Sequence, residues 1–285
     1  MKDFPNQPLK KSDRNEKQSL ILPSISSLGV DLLRLTRYQL FLTLFLPLAS
    51  IILYFIFAFT AHWVWAVLSV MAFSFFTYGS TSHDLVHRNL GLNKFTNDFL
   101  LFFLEVLSIR SGHAYRLAHL YHHATYPHPS DIEGAAAGMS FLRTMGEGLI
   151  FQVKIGLWAW KHAKKPMDKK WILLESTLCL LFIVSAIWLL PVTPIFLIYV
   201  LLMIMGSWII PLVTSYIPHQ PQESNVLFQT KLFRGRFFSL IALEHLYHLE
   251  HHLYPAVPHR NWVKLAKRLD PYLEKAGIQP MTFLF

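Results

Sequence analysis

Eight histidines fall in three short clusters: His83 and His87 in HDLVH, His119, His122 and His123 in HLYHH, and His248, His251 and His252 in HLEHH. Spacings of three and four residues put imidazoles on one side of a helix, and the adjacent pair in each HH doublet diverges by about a third of a turn. The two members of a doublet can therefore reach different metal ions. With 15 histidines in 285 residues, one HxxxH match is expected about once per chain by chance, whereas one HxxHH is expected in only ~4% of such chains. The two doublets thus carry the signal. A dense group of imidazoles avoids mutual proton repulsion most readily by ligating metal. Eight exceed any mononuclear shell, so the count points to a dinuclear site, while imidazole by itself suits zinc, copper, iron or nickel. No HExxH zinc-protease motif is present. Asp84, Asp131, Glu133, Glu244 and Glu250 lie near the clusters, as candidates to hold the far nitrogen of a ligand histidine or, otherwise, as solvated charges and helix caps.

The elements that must position these residues are membrane helices. The chain is 53% hydrophobic, 15% aromatic and only 15% charged, a balance foreign to soluble domains. Apolar runs at 39–61, 63–80, 171–192 and 194–217 each approach the ~20 residues a bilayer requires. The expected fold class is an all-α integral membrane protein with four transmembrane helices in two hairpins, interfacial or re-entrant helices, and a cytoplasmic His-rich cap. Composition predicts a polar, flexible stretch 1–27 followed by a single domain over 28–285. The first run follows 38 mostly polar residues and is too long for the apolar core of a signal peptide. Cys179 sits inside the third span as an apolar filler.

Of the 26 Lys and Arg, seven precede the first span, eleven lie between the second and third, and eight follow the fourth; the hairpin tips TAHW and LPVTP have none. All three basic segments therefore share one side, which the positive-inside rule makes cytoplasmic, together with both termini and the histidine clusters. The net charge of +9 needs no nucleic acid, because an anionic inner leaflet is its counterpart. Residues 97–109, apolar but only 13 long and containing Glu105, suit a re-entrant or interfacial helix better than a span. Segments starting at Leu28 and Gly148 read as interfacial helices, and His62 and His162 as ordinary polar-tip residues.

With its HxxxH, HxxHH and second HxxHH in this order around these spans, the chain resembles the membrane-bound fatty acid desaturase superfamily. HDLVHRNLGLN, HHATYPHPSDIE and HHLYPAVPHRNW add local similarity. TSYIPH and HLEHHLYPAVP are also similar to the carotenoid ketolase and hydroxylase branch. The resemblance implies two non-haem irons that use O2 and two electrons on an unactivated C–H bond of a lipid or carotenoid entering from the bilayer. No GxGxxG, CxxCH or iron-sulfur cysteine set is present, so an external electron-transfer protein is expected as partner. Lys164, Lys165, Lys169 and Lys170 are candidates to steer an acidic donor. The readings are a lipid desaturase or hydroxylase, a carotenoid ketolase or hydroxylase, or a metal- or haem-carrying membrane protein without turnover. Spans with little ionisable content beyond Glu175 disfavour the last.

Two further histidines compete for a ninth ligand position. His219, just beyond the fourth span, matches a stretch in which the resemblance implies a ligand; His245 sits three residues before His248. His219 is favoured because it brings a new helix end to the site. Ser215 stands where the family pattern often has asparagine, which places any role of that asparagine in doubt here.

Overall fold

A computed structural model describes residues 22–223, 225–235 and 247–282. Among the described residues, four helical segments are long and apolar enough to cross a membrane: Val30–Phe59, Trp63–His87, Pro166–Trp188 and Ile195–Tyr216. Much of their surface is exposed apolar side chain, Val64, Trp65 and Trp188 among them, as expected where lipid rather than protein covers the helix.

The chain enters through a one-turn helix α1 (Ile25–Leu28) and a 3-10 turn, Val30–Leu33. The interfacial helix expected from Leu28 onward is interrupted: Gly29 has φ of 115° and Arg34 is extended, so two short turns replace it. Helix α2 (Arg37–Phe59) then starts at a reciprocal cap. The Thr36 hydroxyl accepts the Gln39 N–H at 3.1 Å, and the Gln39 side-chain oxygen accepts the Thr36 N–H at 2.9 Å. Pro47 lies inside α2, a position that membrane helices tolerate.

After α3 (Trp63–Phe76) the helix does not stop at the polar residues. It runs through a π-helical turn, Thr77–Thr81, into α4 (Ser82–His87), which ends where Arg88 turns left-handed. The continuous run of 25 residues is about 37 Å long at 1.5 Å per residue, longer than the ~30 Å hydrocarbon core. Its last turns carry His83 and His87. The fourth span behaves alike, α9 (Ile195–Trp208) being followed by a second π turn, Leu212–Tyr216.

Between the hairpins lie α5 (Lys94–Leu107), α6 (Gly112–Thr125) and α7 (Phe141–His162). Helix α5, the short apolar stretch around 97–109, is 14 residues long and is not among the spanning helices. Its Glu105 is buried in a two-point ion pair with Arg110, at 2.8 and 3.0 Å, and Arg110 stacks 5.0 Å over Tyr78. Helix α7 is seated by a close approach: a Cβ on Gly148 would lie 2.0 Å from the Trp208 carbonyl oxygen. The third span α8 (Pro166–Trp188) is tied to α6, where buried Glu175 accepts from the Ser111 hydroxyl at 2.6 Å and the His113 N–H at 3.0 Å. Tyr54 of α2 donates to the Ile195 carbonyl and packs on Tyr199, which joins the two hairpins.

A separate core caps the bundle. Helix α10 (His248–Leu253) and amphipathic α11 (Trp262–Lys275) enclose Leu249, Val257, Trp262, Leu265, Leu269 and Leu273 with Leu28 and Leu32. A two-residue parallel pair, β1 (Phe233–Arg234) with β2 (Met281–Thr282), is the minor non-helical addition.

Candidate metal centre

Nine histidines converge in two groups. His83, His87, His119, His123 and His251 form one, and His122, His219, His248 and His252 the other; within each, the ring nitrogens lie within 4.8 Å of one another. The π-extended α4 supplies the first two, α6 the next three and α10 the last three. His219 follows the second π turn. His122 and His123 go to different groups, as do His251 and His252, because neighbours on a helix diverge by about 100°. His245 and Glu244 lie outside the described residues.

The spacing of the nitrogens fits a metal shell. In the five-histidine group Nε2 of His251 lies 3.0 Å from that of His83 and 2.7 Å from that of His123, and His119 lies 3.2 Å from His123. In the other group His219 is 3.1 Å from His122, 3.2 Å from His252 and 3.2 Å from His248. Imidazole nitrogens bound ~2.1 Å from one ion stand roughly 3.0–3.4 Å apart in a tetrahedral or octahedral shell. His87 gives a second sign. Its ring is 4.8 to 5.0 Å from those of His83, His119, His123 and His251, yet its buried Nε2 has no hydrogen-bond partner. A buried nitrogen left unpaired is costly unless something else uses its lone pair.

Outer contacts set the tautomers. His219 Nδ1–H donates to the Ser215 carbonyl at 3.1 Å; a carbonyl only accepts, so Nε2 keeps its lone pair. His122 Nδ1–H donates to Asp131 at 2.7 Å, and His119 Nδ1 is hydrogen-bonded to Glu133 at 3.0 Å. Burial, reinforced by repulsion among neighbouring imidazoles, holds His119, His123, His219, His251 and His252 well below the usual histidine range. They are neutral and able to donate. Burial also opposes protonation of His122, but the Asp131 carboxylate outweighs it and the net shift is upward. Burial pushes Glu133 up to about 8.

Two of the five carboxylates serve elsewhere. Asp84 accepts from His259, at Nδ1 and from its backbone N–H at 3.0 Å, and so fastens α4 to the cap instead of orienting a cluster histidine. Buried Glu250 faces Arg234 at 2.5 Å. Two aromatic side chains wall the groups. Trp262 packs 5.0 Å from His251 and 5.4 Å from His83, and Tyr126 lies 4.5 Å from His219 and 5.3 Å from His122. Both lie in the stretches HHATYPHPSDIE and HHLYPAVPHRNW but outside the HxxHH spacings, so histidine spacing gave no signal for them.

A cavity of about 30 Å³ abuts the histidines, room for one or two water-sized molecules. Tyr78 and Gly79 from one π turn and Val213 and Thr214 from the other line it, together with His83, His119, His122, His248 and Trp262 among others. Val213 is also 36% exposed on the outer surface.

None of the curated proteins compared with the chain matches it. The fatty acid desaturase family model matches residues 59–283, a stretch that contains both histidine groups and three of the four spans, and the chain belongs to that family.

Proposed function

We propose that this oxidoreductase holds two irons on nine histidines and uses O2 to introduce a double bond into the hydrocarbon chain of a membrane lipid. The observation that carries the reading is the division of nine convergent imidazoles into groups of five and four, in a chain of the desaturase family. His83, His87, His119, His123 and His251 would hold one metal, and His122, His219, His248 and His252 the other. Iron held there would supply oxidation of an unactivated C–H bond by O2, in a shell of imidazoles that adds no negative charge to offset that of the metal.

The remaining residues orient and enclose. Asp131, Glu133 and the Ser215 carbonyl fix their imidazoles with Nε2 turned inward, which raises ligand basicity and sets ring orientation. Trp262 and Tyr126 cover the outer sides of the two groups and keep water off them. The small cavity is lined on one side by the π turns of the second and fourth spans, and Val213 there is both a lining residue and 36% exposed. A lipid chain reaches the histidines laterally there only as the π turns part around it, because about 30 Å³ holds no more than a methylene or so. Electrons come from a separate protein, and the distribution of the basic segments supports a cytoplasmic cluster side.

The test is lipid analysis of membranes from a host expressing the full chain, aerobically and anaerobically, beside the same host with His219→Ala. A new double bond in acyl chains, formed only with O2 and lost in the variant, is the expected result. A hydroxylated lipid without an alkene would replace desaturation by hydroxylation, and an altered pigment profile with unchanged acyl chains would overturn the substrate assignment.

A further inference from the structure

A cleft of about 670 Å³ lies on the cap, between the approach to the first span and the start of α11. Its volume falls in the range of small-molecule sites. Arg34 stands on one wall and Arg260, Lys264 and Lys267 on the other, with Asp31 the one carboxylate among the lining residues. Asp31 is already engaged by Lys264 and by Arg268, the latter at 2.8 Å. Lys264 and Lys267 are three apart on one helix and repel each other. Four cations around one engaged carboxylate form a site of positive potential that an anion would relieve.

The cleft is a built feature. Buried Asn261 donates to the Leu32 and Arg34 carbonyls at 2.9 and 3.0 Å and accepts from Gln39 at 3.3 Å, which ties the two walls together at the floor. Arg260 donates Nε–H to the Thr43 hydroxyl at 3.1 Å, which fixes its guanidinium at the edge. Apolar side chains share the lining, namely Val30, Leu35 and Val263. Val30 and Leu33 are exposed large apolar residues on the segment that leads directly into α2. The cleft therefore opens beside the start of the first candidate span, with cations for a phosphate and apolar surface for what the phosphate is attached to.

We infer that this cleft binds the phosphate of an anionic phospholipid headgroup. The lipid would clamp the start of α2 to α11, and α11 begins with Trp262, the residue packed on His83 and His251. It would support the histidine site from outside without contacting it.

The test uses full-length protein, delipidated in a neutral detergent and titrated with short-chain phosphatidylglycerol, with bound lipid counted by native mass spectrometry. Wild type should retain one lipid, and the double variant Arg34→Gln with Lys267→Gln should bind it at least tenfold more weakly. Lys267→Glu alone should weaken binding in the same direction. Lys164→Gln with Lys165→Gln, which removes charge elsewhere, should bind like wild type. Equal binding by all variants, or equal loss in the control, would overturn the site in favour of general attraction. Inorganic phosphate displacing the lipid at equal concentration would overturn the lipid as ligand. So would an absence of bound lipid together with Arg34- and Lys267-dependent binding of an acidic electron-transfer protein.

Discussion

Asp131→Asn separates the two histidine groups by a single atom. One carboxylate oxygen accepts the backbone N–H groups of Glu133 and Gly134 at 3.1 and 3.0 Å, and the other accepts His122 Nδ1–H at 2.7 Å. An asparagine must leave its oxygen with the two backbone donors, because the reverse rotamer would set its NH2 against both. The amide nitrogen then meets His122 donor to donor. The imidazole escapes by moving its proton to Nε2, the nitrogen that faces His219 at 3.1 Å and His252 at 3.3 Å. That nitrogen can no longer ligate. Loss of such an outer partner typically weakens metal binding 10- to 100-fold, or about 1.4–2.7 kcal/mol. The five-histidine group, which takes its carboxylate from Glu133, should be unchanged. Chelator competition against iron-loaded protein should thus resolve one weakened and one unaltered site. Two unaltered sites in a folded variant would refute the tautomer argument, and equal loss at both would refute the division into groups.

Three further outcomes follow from the same geometry. His219→Ala should lose the metal of the four-histidine group and all turnover while keeping one metal; retention of both metals would move the ninth ligand elsewhere. Gly148→Ala would drive a Cβ into the Trp208 carbonyl, a backbone atom that cannot swing away, so α7 and α9 must separate at a cost of about 1–3 kcal/mol; an unchanged thermal midpoint in detergent would contradict that packing. Reporters fused after His87 and after His123 should report the same side of the membrane, since α5 does not span; opposite sides would break the site as assembled.

The four spans were legible because hydropathy needs only composition and length, and the expected bounds differ from the helices mainly at their polar ends. There the signal fails for a physical reason. A π turn admits one extra residue without changing apolar character, so nothing in Thr77–Thr81 announces that the helix continues to His87. The interfacial helix expected from Leu28 failed at Gly29 and Arg34, where two backbone angles outweigh the apolar spacing. Histidine grouping could be read as far as the doublets, since divergence of neighbours is a property of any helix. Partners of the carboxylates could not. Asp84 is adjacent to His83 in sequence and for that reason points about 100° away from it, toward His259. Asp131 and Glu133 reach back from a loop to His122 and His119, and Trp262 arrives from α11, contacts set by tertiary packing rather than by local spacing.

The central claim is that nine imidazoles form two metal sites, and metal content tests it most directly. Protein purified anaerobically after iron supplementation, its concentration fixed by amino-acid analysis, should contain two irons per chain and negligible zinc. One metal per chain, or a content dominated by zinc, would contradict the account.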